Sequence, residues 1–133
     1  MRISRDDILQ AIDKERLIAE DWVGYDIDRP DCPVCAVGAV LRGAGLENQE
    51  IMDRAGAITG GAFIASKSLP AALGAGNWLG ALSIKWERMC EAAKPSEWWT
   101  WEPKRLEAFK PALKEWVLQT LPEGVIYDDE QLP

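Results

Sequence analysis

The chain has 133 residues, 47% of them hydrophobic and 28% charged, a composition that favours one globular domain over a fibrous or disordered protein. It contains no run of about eighteen uncharged apolar residues and no signal peptide, so we expect no membrane association and a cytoplasmic location. The net charge of −7 argues against binding to a nucleic acid backbone, which requires Lys and Arg. We therefore predict a single domain over residues 1–133.

The first predicted element is a helix that begins after Ser4. Ser4 has the side chain of a good N-cap, and Asp7 lies three residues later, where it completes a capping box. Apolar residues then recur at helical spacing to about Lys14. Residues 17–25 are compatible with either a continued helix or a short strand. Asp and Pro in residues 26–31 predict a loop.

A second helix is predicted to begin near Cys32, with Pro33 in its first turn, where the missing N–H of proline costs nothing. It should end at Gly45, a residue type that often terminates helices. Residues 35–41 of this helix carry no charge, so we expect it to be central in the fold. Asn48 is expected to cap a third, shorter helix.

The next segment, residues 55–82, is rich in alanine and glycine and has the least distinct pattern. Turns are predicted at residues 60–61, where two glycines adjoin, and at residues 68–70. Asn77 is the next expected N-cap, and it opens a helix whose apolar residues recur at three- and four-residue spacing until Pro95.

Towards the C-terminus, Pro103 and Pro111 each indicate the first turn of a helix, the second of which should end at Leu121. Residues 125–127 form a possible edge strand, which we expect to pair with residues 17–25. The predicted fold is therefore mainly α, a single compact domain of about five helices with a minor two-stranded β element.

The sequence offers few residues for catalysis, because it contains no histidine, the commonest general base and metal ligand. The best remaining candidates for catalysis are Cys32 and Cys35, because a helix N-terminus would stabilise their thiolates. Their spacing resembles the Cys-Pro-x-Cys of glutaredoxins, although no strand is predicted before it. The alternative is that both are buried structural cysteines. We expect no metal and no cofactor, and we favour an interaction protein over an enzyme.

The candidate binding residues are aromatic and acidic. Three tryptophans within four residues cannot all point one way, so at least one should be partly exposed and able to anchor a protein partner; they are Trp98, Trp99 and Trp101. The alternative is a hydrophobic lid over the core. The other four tryptophans are expected to be ordinary core residues: Trp22, Trp78, Trp86 and Trp116. The acidic tail offers a second possibility, mimicry of DNA in a basic cleft, through Asp128, Asp129 and Glu130.

One short run of residues bears on the biological origin of the chain. The run of residues 35–42, Cys-Ala-Val-Gly-Ala-Val-Leu-Arg, resembles the Cys-x-x-Gly-Ala helix of small uncharacterised bacterial and phage proteins, and residues 77–83 are similar in style. The resemblance implies an accessory protein of a bacterium or its phage, a setting that includes anti-CRISPR inhibitors of host defence. From the lack of a catalytic set, the acidic surface and the tryptophan cluster, we expect a protein that binds another protein and inhibits or modulates it. The alternatives are a small thiol protein centred on Cys32 and Cys35, and a ligand-binding module walled by the Gly/Ala-rich segment and tryptophans.

Overall fold

The computed structural model describes residues 2–17, 34–92 and 106–128. Most of these residues are helical, and a two-stranded antiparallel sheet accompanies the helices, which confirms the predicted fold class. The elements in chain order are β1 (Arg2–Ser4), α1 (Arg5–Lys14), α2 (Ala36–Gly43), α3 (Asn48–Lys67), α4 (Leu69–Gly74), α5 (Trp78–Ala92), α6 (Lys110–Thr120) and β2 (Val125–Asp128).

The sheet joins the two ends of the described chain, because β1 pairs with β2 in a register that places Arg2 opposite Asp128 and Ile3 opposite Tyr127. The strand at residues 125–127 was predicted, but β1 was not predicted as its partner. Of the expected partner, residues 17–25, the structure describes only Leu17, which pairs with Val34 instead. Strand β1 has only three residues, too few to show the alternation of apolar and polar residues that identifies a strand.

The predicted alternative strand, residues 17–25, lies outside the described residues except for Leu17. Leu17 forms an isolated parallel bridge with Val34, whose backbone N–H donates to the carbonyl of Arg16 over 3.0 Å. Leu17 and Val34 are therefore neighbours in the fold, although 17 positions separate them in the sequence.

Helix α1 begins as predicted, with a capping box at its first turn. The backbone N–H of Asp7 donates to Ser4 Oγ over 3.2 Å, and the backbone N–H of Ser4 donates to Asp7 Oδ2 over 2.9 Å. The buried face of α1, which includes Ile8 and Ile12, belongs to the main core. Helices α1 and α2 contact each other.

Helix α2 starts later than predicted. Its N-cap is Cys35, whereas the sequence predicted a start near Cys32. Its end was predicted correctly. Gly45 adopts a φ of +98°, which side chains rarely tolerate, and the N–H of Leu46 reaches back to the carbonyl of Leu41 over 3.2 Å. Residues 36–41 are all buried, so α2 is the central helix that its uncharged sequence indicated.

Helix α3 is much longer than expected. It continues to Lys67 through the glycines at residues 60–61, so the predicted turn there was wrong. Each interior glycine destabilises a helix by about 1 kcal/mol relative to alanine. Tertiary packing can outweigh this cost, and α3 packs along α5. The predicted break at residues 68–70 is present, because Ser68 caps α4.

The last two helices follow their predictions more closely. Helix α5 begins at Trp78, with the carbonyl of Asn77 accepting from the N–H of Ala81 over 3.0 Å. Helix α6 has Pro111 in its first turn, and Leu121 follows its last residue as the C-cap.

Of the four tryptophans expected in the core, three lie in it or pack against it. Trp86 is fully buried and meets the ring of Phe109 edge-on, with 6.3 Å between ring centroids, while Trp78 and Trp116 are partly buried against the same core. Trp22, the fourth tryptophan of that prediction, lies outside the described residues.

Candidate interaction surface

The tryptophans proposed as anchors fall between two described elements. Trp98, Trp99 and Trp101 belong to residues 93–105, which lie outside the described residues, and so do Asp129 and Glu130. The structure therefore places only the backbone of Asp128 among the predicted binding residues, as the last residue of β2.

The described elements do show where those segments are attached. Residues 93–105 follow directly on α5 and are followed by Leu106, which is buried in the main core. Strand β2, from which the acidic tail continues, contacts α5.

Cys35 is the one cysteine of the predicted pair that the structure describes, since Cys32 lies outside the described residues. Its side chain is 6% exposed, and its Sγ accepts a hydrogen bond from the backbone N–H of Gly38 over 3.4 Å. The sulfur therefore caps the central helix, as a serine hydroxyl commonly does. Reactive cysteines are usually partly exposed, so this environment is typical of a structural thiol.

A cluster of polar side chains that the sequence did not reveal lies where α1, α2, α3 and α6 meet. We call it the polar cluster, and its members are Glu15, Arg42, Asn48, Glu107 and Lys110. Two of these residues, Asn48 and Lys110, are buried.

Arg42 lies at the centre of the polar cluster. Its Nη1 is 3.0 Å from Glu15 Oε2, and only 12% of each side chain is exposed. Its Nη2 donates to Asn48 Oδ1 over 2.7 Å. Asn48 was predicted to cap α3, and that prediction was wrong. The carbonyl of Glu47 accepts from the N–H of Ile51, so Asn48 already lies inside the first turn.

Lys110 holds the other side of the polar cluster. Its Nζ donates to the backbone carbonyl of Glu15 over 2.6 Å and pairs with Glu107 Oε2 at 3.0 Å. The polar cluster thus fixes the C-terminal end of α1 between α2 and the start of α6. The only sequence signal for it was a lone base, Arg42, at the end of an otherwise uncharged helix.

A few large apolar side chains remain exposed in the described residues. Met52 on α3, Leu118 on α6 and Val125 on β2 are each 42–51% exposed. Acidic or amide side chains stand close by in sequence, such as Asp53 beside Met52 and Gln119 beside Leu118. Single exposed apolar residues are ordinary on protein surfaces, so none of them defines a site by itself.

In residues 2–17, 34–92 and 106–128, no three His, Cys, Asp or Glu side chains lie together as a metal site requires. Within those same ranges, no helix has both the length and the apolar character needed to cross a membrane. Comparison with protein-family models, with curated proteins and with solved structures gave no match to this chain.

Proposed function

We propose that this chain is a small acidic cytoplasmic interaction protein of bacterial or phage origin that binds another protein and inhibits or modulates it. The observation that carries the proposal is the concentration of Trp98, Trp99 and Trp101 in one short segment of a chain whose core already has its own tryptophans. Tryptophan anchors supply much of the binding energy at protein interfaces.

The two candidate binding segments both continue from elements that contact each other. The tryptophan segment starts at the end of α5, and the acidic tail starts at the end of β2, which contacts α5. Buried Cys90 and Leu106 fix the chain on either side of the tryptophan segment. We propose that a partner bound by the aromatic anchors also contacts the carboxylates of Asp129 and Glu130.

Affinity capture tests the proposal directly. The folded chain is immobilised and exposed to lysate of the cells in which it occurs, and retained proteins are identified by mass spectrometry. A specific partner should be retained by the wild-type chain and lost when the three tryptophans are changed to alanine. The triple variant must keep its helical circular dichroism, so that loss of binding is not loss of fold.

The contribution of the acidic tail can be separated from that of net charge. Neutralising Asp128, Asp129 and Glu130 removes three charges at the tail. A matched control removes three exposed charges from the residue before α3 and from its first turns, at Glu47, Glu50 and Asp53. If the tail mimics DNA, only the first variant should weaken binding, and affinity should fall steeply with salt. If the aromatic anchors dominate, both variants should bind nearly as well as the wild type.

The alternative of a thiol protein centred on Cys32 and Cys35 makes a different prediction. It requires an accessible thiolate, whereas Cys35 is buried as a helix cap. Rapid labelling of either cysteine by iodoacetamide in the folded chain would favour that alternative over the interaction protein.

A further inference from the structure

We draw no further inference here: the strongest candidate, the polar cluster of Glu15, Arg42, Asn48, Glu107 and Lys110 where α1, α2, α3 and α6 meet, carries nothing beyond the fold, because the contacts that the structure describes for it join protein groups and none of them points to a ligand.

Discussion

Replacing Arg42 by methionine tests whether the polar cluster holds the helices together. Methionine keeps much of the length of the side chain but removes the guanidinium that lies 3.0 Å from Glu15 Oε2 and 2.7 Å from Asn48 Oδ1. Both acceptors are largely buried, so each loses its donor without gaining full access to water. Breaking a buried ion pair costs about 3–5 kcal/mol. We expect the lower end, about 3 kcal/mol, since 12% of each charged side chain is exposed.

The matched control is Lys114→Met, which breaks an ion pair on the surface. Lys114 Nζ is 2.8 Å from Asp13 Oδ1, but 32% and 59% of the two side chains are exposed. Water screens such a pair, so its loss should cost about 0.2–1 kcal/mol. The two variants remove the same charge and differ mainly in burial.

The assay is urea unfolding followed by circular dichroism at constant pH and salt, with the free energy of unfolding obtained by linear extrapolation. A double-mutant cycle with Glu15→Gln isolates the pair, and we expect a coupling energy of at least about 1 kcal/mol between Arg42 and Glu15. If Arg42→Met destabilises the fold no more than Lys114→Met does, the structural role assigned to the polar cluster is wrong.

Substitutions at five further positions test local structure with the same unfolding assay. Cys35→Ser should be less destabilising than Cys35→Ala, because serine can still cap α2 and loss of a cap costs about 1 kcal/mol; equal stability would contradict the cap. Gly45→Ala should destabilise by about 1–2 kcal/mol because of its φ of +98°. Gly74→Ala, in a helix with open space around the added carbon, should be neutral or slightly stabilising. Ile3→Ala should cost about 2–5 kcal/mol because Ile3 is fully buried. Exposed Leu118→Ala should stay within about 0.5 kcal/mol of the wild type.

Much of the fold could be predicted because helix ends are local. The capping box at Ser4, the left-handed glycine at Gly45 and the proline in the first turn of α6 involve residues within a few positions of each other, and the structure has all three. The start of α2 was misplaced by a few residues because cysteine is an uncommon cap. The length of α3 was missed because adjacent glycines suggest a turn, whereas packing against α5 decided the outcome.

The polar cluster could not be predicted because its members are remote in sequence. Glu15 and Arg42 are 27 positions apart, and Glu15 and Lys110 are 95 apart. A single sequence does not indicate which of many acids meets a given base across such distances. The pairing of β1 with β2 was missed for the same reason, since it joins opposite ends of the chain.

The most direct test of the proposed function is a titration of the captured partner against the wild-type chain and against the triple variant Trp98→Ala, Trp99→Ala, Trp101→Ala. A tryptophan at the centre of an interface contributes about 2 kcal/mol or more, so the folded triple variant should bind at least about thirtyfold more weakly. The salt dependence of wild-type binding should be slight. Unchanged affinity in the folded triple variant, or no protein retained by the wild-type chain above the bare matrix, would contradict the proposal.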